Sequence, residues 1–245
     1  MTVRPRRSTA HGSDGQSVLR QSWIMTDLPA SSTDALCWDW NGTLLDDVGV
    51  ARAAMDLLLA GRGLPGFVDE AAYRRVFGFP IRDFYERVGI GGADFVAAAD
   101  EYLARFAVDV ETAALHPDAL QTLEAVHALG VEQVLISATP EAVLERQLAP
   151  HALTHYFSGV HGITDVYHAS KEQVVGSWLA GSGHHPSRVV MVGDTNHDEE
   201  IAELLGVRFV RFRNGHQDPP VHGRHPVIDG LSELVPELTR GNSDD

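Results

Sequence analysis

From the N-terminus onward, no ordered hydrophobic pattern appears until residue 34, and three regimes of apolar spacing then follow. The first is a short apolar run from Asp34 to Trp40, the kind that makes a strand buried on both faces. In the second, from Asp46 to about Ala114, strand signals vanish. Val50–Ala60, Glu70–Val76, Arg82–Val88 and Ala93–Ala107 carry helical spacing, as in Phe95, Ala98, Tyr102 and Phe106. Gly61-Arg62-Gly63, Gly66 and Gly78-Phe79-Pro80 read as the turns between them.

The third regime alternates. Pro117–Leu129 predicts a helix that starts near a proline and stops at Gly130. Strands are predicted at Gln133–Ile136, Tyr156–Val160, Val189–Val192 and Val207–Phe212. Helices are predicted at Glu141–Leu148, Ser170–Ala180, Asp198–Leu205 and Leu231–Leu238. Strands separated by helices imply a parallel sheet covered on both faces. The predicted fold class is α/β, with a Rossmann-like parallel sheet core over residues 34–47 and 115–245. An all-helical insertion occupies residues 48–114. Residues 1–33 mix Arg, Ser, Thr, Gly and His and read as a disordered tail, and Gly241–Asp245 as a frayed end. Arg6-Arg7 lacks the following apolar stretch of about 7–15 residues that an export signal needs. Met25 offers a second start within the tail.

Charge changes this picture more than length does. A formal charge of −15 over 245 residues argues against nucleic acid and anionic membrane as partners. No apolar run approaches the ~20 residues of a membrane span. An anionic substrate would meet a repelling global field, so local cations must offset it. Lysine and arginine total 19, and Lys171 is the only lysine. Either it survived a bias toward arginine by chance, or its site needs a compact ammonium. The single cysteine, Cys37, excludes an intramolecular disulfide and suits a reducing compartment, here the cytoplasm. On an apolar strand it reads as a small core residue.

The candidate chemistry lies at strand ends. Asp39 ends the first strand, Gly42 lets the chain bend, and Thr43 adds a hydroxyl and an amide beside the carboxylate. Ser137 ends a second strand, Lys171 begins a helix, and Gly193-Asp194-Thr195-Asn196-His197-Asp198 follows a third strand. In a parallel sheet these C-terminal strand ends share one crevice. Asp39, Asp194 and Asp198 there would repel one another, and some would hold protons at neutral pH. A divalent ion removes that cost, and an all-oxygen site suits Mg²⁺. Each feature alone has an ordinary alternative: a turn, a helix cap, a loop hydroxyl, a solvated lysine. Those alternatives must all hold at once for the site to be absent.

The segment Asp39-Trp40-Asn41-Gly42-Thr43, Ser137, the isolated Lys171 and Gly193-Asp194…Asp198 resemble, in order and spacing, the four motifs of the haloacid dehalogenase-like hydrolases. The resemblance covers about residues 34–215, and the helical insertion resembles the cap of the phosphoglycolate phosphatase branch. It implies a phosphatase that uses Asp39 as nucleophile and forms an aspartyl-phosphate. It implies Mg²⁺ held by Asp39, Asp194 and the carbonyl of Asn41, with Asp198 acting through water. Phosphate binding falls to Gly42, Thr43, Ser137, Ala138 and Lys171, with Ser137 donating to a phosphoryl oxygen and Lys171 neutralising transition-state charge. A cap of this type implies a small phosphorylated metabolite. Phe77–Arg82 is the candidate contact loop and Arg82 a candidate anion hook, though a packing turn with a surface arginine reads the sequence equally well.

One position departs from the pattern. The second aspartate, which in the family protonates the leaving oxygen and later deprotonates water, is Asn41. An amide does neither. General acid–base help is worth about 10²–10⁴-fold, so either another side chain acts as the acid or alkyl phosphates should suffer most. Acyl phosphates, aryl phosphates and phosphoanhydrides should suffer least. A phosphomutase or phosphotransferase, and a phosphometabolite-binding protein with little turnover, are the rival expectations. The 13 histidines are scattered. His151 with His155, His184-His185 and His222…His225 read as surface residues rather than zinc ligands. His197, inside the metal loop, either positions water or substrate or faces outward, the latter being expected, and Trp38 and Trp40 are expected to pack against helices.

Overall fold

Strand β1 (Ala35–Trp38) is apolar on both faces and fully buried, so it takes the middle of a sheet. In the computed structural model, which describes residues 33–164 and 170–239, it pairs in parallel with β4 (Glu132–Pro140) and β6 (Val189–Gly193). Two short strands, β2 (Leu45–Asp46) and β3 (Ala114–Leu115), pair antiparallel, so the chain's exit to the helical block lies beside its return. With β5 (Gly159–Ile163), β7 (Arg208–Phe212) and β8 (Val227–Ile228), the six-stranded parallel sheet runs β5-β4-β1-β6-β7-β8. Apart from Thr33, the expected tail over 1–33 lies outside the described residues, as does the expected frayed end Gly241–Asp245.

Between β2 and β3 lie α1 (Val48–Ala60), α2 (Glu70–Val76), α3 (Ile81–Arg87) and α4 (Phe95–Asp109). They bury a core of their own, including Met55, Leu58, Tyr73 and Phe84. The sheet's two faces are covered separately. Trp38 and Trp40 join the core beneath α5 (Ala119–Ala128), α6 (Glu141–Leu148) and α9 (Leu234–Thr239). Their indole N–H groups donate to Gln133 at 3.0 Å and Gln147 at 2.9 Å. Cys37 joins the opposite core with α7 (Lys171–Ser182) and α8 (Asn196–Leu205), and burial pushes its thiol up to about 12.

Two expected boundaries shift. The strand expected at Tyr156–Val160 lies at Gly159–Ile163, and residues 154–156 form one 3₁₀ turn. The aromatic pair there suggests a strand, whereas Tyr156 packs on His155 with ring centroids 4.0 Å apart. The true strand needs Gly162, where a Cβ would come 2.5 Å from the carbonyl oxygen of Thr139. Strand β4 also runs past Ser137 to Pro140, through a register shift between Ile136 and Pro140.

Candidate active site

The sheet's C-terminal edge brings the predicted residues together. The amide of Asp39 still bonds Val192 O at 2.9 Å, so the carboxylate emerges where β1 leaves the sheet. β6 delivers Asp194, and α8 carries Asp198 in its first turn. Asp198 Oδ2 accepts from Thr195 N at 3.0 Å and Thr195 Oγ1 at 2.6 Å, which fixes it beside the helix start. Ser170 caps α7 and makes Lys171 its first residue. Lys171, 3% exposed, donates from Nζ to Asp39 Oδ1 and to Asp198 Oδ1, the latter at 2.6 Å. Ser137 is buried at the same edge, and its Oγ accepts from Thr139 N at 3.1 Å, leaving the hydroxyl proton free to donate.

The electrostatics follow from burial. Oxygens of Asp39, Asp194 and Asp198 lie within 4.8 Å of one another. Burial pushes Asp39 up to about 7 against the opposing pull of Lys171, and Asp194 up to about 6 against His216. Burial would also raise Asp198, but Lys171 and the Thr195 hydrogen bonds outweigh it and hold that carboxyl below its ordinary value. Burial likewise works against the Lys171 ammonium. Asp198 and Asp39 overcome it and keep the group protonated well above the usual range.

Asp47 and His216 belong to the site although no sequence motif marks them. Asp47 is fully buried. Its Oδ1 accepts from Gly42 N at 2.7 Å and faces His216 Nε2 at 3.1 Å, while Oδ2 accepts from Asn41 Nδ2 at 2.8 Å. His216 Nδ1 meets Tyr73 OH at 3.2 Å, and its amide donates to Asp194 Oδ2 at 2.5 Å. Burial alone would lower the imidazole, but Asp47, Asp194 and Asp39 push it up to about 9. A signal for His216 existed: it follows the end of β7 at the same sheet edge that singles out Asp39, Ser137 and Asp194.

Some expected residues sit differently. The Gly42 amide is engaged by Asp47 and by Leu45 O at 3.0 Å, so it is not presented to a phosphate. The Thr43 hydroxyl lies 3.2 Å from Asp39 Oδ2 and 3.4 Å from Asp194 Oδ1, spanning the two carboxylates. Ala138 lines the chamber above Asp39. Arg82 does not join the site: it is exposed and its guanidinium lies 4.1 Å from the Phe95 ring centroid. His197 was expected to face outward. It lines the chamber instead, because its ring stacks on Phe79 at 4.8 Å, and burial holds the imidazole below its usual range.

The helical cap covers one side of this chamber of about 440 Å³. Asn196 Oδ1 accepts from Phe79 N at 2.9 Å and its Nδ2 donates to Phe79 O at 3.1 Å. On the other side, Arg74 Nη2 donates to Asn214 O at 3.2 Å.

The fold is thus a Rossmann-like parallel sheet with three aspartates and a lysine at one edge, under a helical cap. Residues 33–206 match the family described as haloacid dehalogenase-like hydrolase, and the chain belongs to that family. Within it the protein is a phosphoric monoester hydrolase, a phosphatase. It is 25% identical over 223 residues to a phosphoglycolate phosphatase of Aliivibrio fischeri, covering 82% of this chain and 90% of that one. It is 28% identical over 211 residues to phosphoglycolate phosphatase 1 of Pseudomonas aeruginosa, covering 81% and 77%. Its fold is similar to that of a haloacid dehalogenase-like family hydrolase from Streptococcus pneumoniae, with TM-score 0.71, 17% identity and coverage of 84% and 99%.

Proposed function

We propose that the protein is a Mg²⁺-dependent phosphatase of a small phosphorylated metabolite that works through an aspartyl-phosphate on Asp39, with leaving groups restricted by Asn41. A carboxylate oxygen of Asp39 attacks phosphorus, and the bond to the leaving oxygen breaks with its electron pair going to that oxygen. Water then hydrolyses the aspartyl-phosphate, releasing phosphate and restoring Asp39. Ser137 donates to a phosphoryl oxygen, and the Lys171 ammonium offsets charge gathering on the others. Ala138 lies beside them at the chamber wall. The observation that carries this reading is the convergence of Asp39, Ser137, Lys171, Asp194 and Asp198 at one sheet edge beneath the cap. A cytoplasmic site of action belongs to the proposal, supported by the one buried thiol. Among the described residues, no helix is long and apolar enough to cross a membrane.

The donor set fits Mg²⁺. It is buried and all-oxygen, and two of its carboxyls are pushed up in a way a divalent cation would relieve. Asp39, Asp194 and the main-chain carbonyl of Asn41 would hold the ion, with Asp198 behind them through water. When bound, Mg²⁺ supplies positive charge to the carboxylates and the phosphoryl oxygens.

Asn41 restricts the reaction because, among the described residues, the polar side chains around it are already engaged. Its own Nδ2 and Oδ1 are engaged by Asp47 and by Thr139 Oγ1, each at 2.8 Å. His216 has both ring nitrogens committed, to Asp47 and Tyr73, and His197 is held neutral by burial. A leaving group that needs no proton escapes this restriction. The same absence counts against a phosphomutase, which needs the acid–base group more. A pure binding protein would have no use for the whole set.

Mg²⁺-dependent phosphate release from an aryl phosphate, acetyl phosphate and an alkyl phosphate tests the reading, with Asp39→Asn as control. The expected order is aryl and acetyl phosphate well above alkyl phosphate, with Asp39→Asn down at least about 10³-fold. Binding of all three without turnover of any would contradict it.

A further inference from the structure

The walls of the chamber constrain what leaves. On the cap side they are rings and aliphatic groups, among them Phe77, Phe79, Phe84, Phe95, Tyr102 and Phe106. The floor carries Asp39, Asp47, Asp194 and Asp198. Among the described lining residues there is no arginine, and Lys171, the one lysine there, is already bound to Asp39 and Asp198. Arg82, the cation of the contact loop, is exposed and lies over Phe95 instead of lining the chamber. His216, raised to about 9 and so also a cation, lines the chamber but is held by Asp47 at 3.1 Å and Tyr73 at 3.2 Å. A leaving group bearing a carboxylate would therefore be desolvated against aromatic rings, beside four aspartates, with Lys171 and His216 already engaged.

An aromatic group meets the opposite conditions. The rings of the wall already meet edge to face: Phe77 and Phe79 at 5.9 Å and 87°, and Phe77 and Phe84 at 5.0 Å and 61°. A further ring joins such a cluster with favourable contact. About 440 Å³ accommodates one or two fused rings above the phosphoryl site. The two restrictions, no acid at Asn41 and an apolar cap, act on the same part of the substrate.

We propose that the substrate is an aryl phosphate monoester whose uncharged aromatic group occupies the cap chamber, an inference that rests on the phosphatase reading above. The bond between phosphorus and the phenolic oxygen breaks with both electrons going to that oxygen. The group departs as phenolate and takes its proton from solvent afterwards. With a parent acid near pKa ~10, it does so without the proton that an alkoxide requires. Asp39 takes the phosphoryl group, and water later returns it as inorganic phosphate.

Steady-state kinetics of the whole protein with Mg²⁺ test this on four probes: acetyl phosphate, 2-phosphoglycolate, phenyl phosphate and 2-naphthyl phosphate. The two aryl esters have leaving groups of similar acidity and differ mainly in apolar area, so a difference between them reports the chamber. The expected result is a KM at least about fivefold lower for 2-naphthyl than for phenyl phosphate. Both should exceed 2-phosphoglycolate in kcat/KM by at least about 10²-fold. Hydrolysis of acetyl phosphate with equal KM for the two aryl esters, or with 2-phosphoglycolate preferred, would overturn the aryl assignment and leave the phosphatase reading intact. No hydrolysis of any probe would overturn both. Leu103, half-exposed on α4 and lining the chamber, offers a variant that should fold. Leu103→Arg should lower the preference for 2-naphthyl phosphate over 2-phosphoglycolate at least tenfold, and an unchanged ratio would contradict the proposal.

Discussion

The side-chain amide of Asn41 donates to Asp47 Oδ2 at 2.8 Å, and Asp47 is fully buried. Because the Asn41 carbonyl accepts from Thr139 Oγ1 at 2.8 Å, the amide is held at both ends. It serves as a polar strut between the β1 loop and the end of β4, at the position where the family places a proton-transfer group. An aspartate there would set two carboxylates in hydrogen-bond contact, and such a pair holds one proton between them. The strut and the acid are therefore alternatives at one position.

Removing the cation at the centre of the site should cost more stability than any surface change. Lys171→Met leaves Asp39 and Asp198 facing each other, buried and unpaired. Breaking a buried pair in this way costs about 3–5 kcal/mol. Urea unfolding without divalent cations should show that loss, and added Mg²⁺ should recover part of it. A loss below about 1 kcal/mol would show that Lys171 does not hold the carboxylates together.

Mg²⁺ stabilisation should grow with pH between about 5 and 8. In the folded, metal-free protein Asp39 is pushed up to about 7 and Asp194 to about 6, both from an ordinary 3.8. A carboxyl raised in the folded state holds its proton longer there than in the unfolded chain, so its ionisation lowers stability as pH climbs from about 4 through the raised value. The ion binds the deprotonated form, so protons compete with it over this window. The rise in Tm at fixed Mg²⁺ should be small at pH 5 and large at pH 8. A shift that is flat or falls with pH would contradict the assignment of these carboxylates to the metal.

Gly42 should tolerate no side chain. Its φ is +75°, and a Cβ would come 2.4 Å from both Asp194 Oδ2 and His216 Cδ2. Gly63 has φ +67° and no such neighbour within 4 Å. Gly63→Ala should then cost only the left-handed conformation, about 1 kcal/mol. Gly42→Ala should cost at least about 1 kcal/mol more and should also weaken Mg²⁺ affinity. Equal costs in thermal unfolding would mean that the Gly42 contacts are soft.

The parts of the site that were legible in the sequence are those tied to strand ends. Asp39, Lys171, Asp194 and Asp198 follow or open regular elements and Ser137 sits at the register shift near the end of β4, so a parallel sheet forces them to one edge. Gly42 was legible as a bend but not as a donor, because its amide is taken by Asp47, five residues on, through a loop closure that spacing does not encode. His197 is drawn inward by Phe79 across the cap–core contact, a partnership between residues far apart in sequence. The aromatic stripe of the cap was visible as helix periodicity. That its rings wall the chamber as well as fill a core depends on how the cap seats on the sheet. Strands β2, β3 and β8 have two residues each, too short to leave a pattern.

The central claim is that Asn41 leaves the enzyme without a proton for the departing group. Its most direct test is the dependence of log kcat/KM on leaving-group pKa, measured over aryl and alkyl phosphates for the native protein and for Asn41→Asp. The native protein should show a steep fall as the leaving group becomes more basic. The variant should show a shallower one, with alkyl phosphates gaining about 10²-fold relative to aryl. A shallow dependence in the native protein, unchanged by Asn41→Asp, would contradict the account.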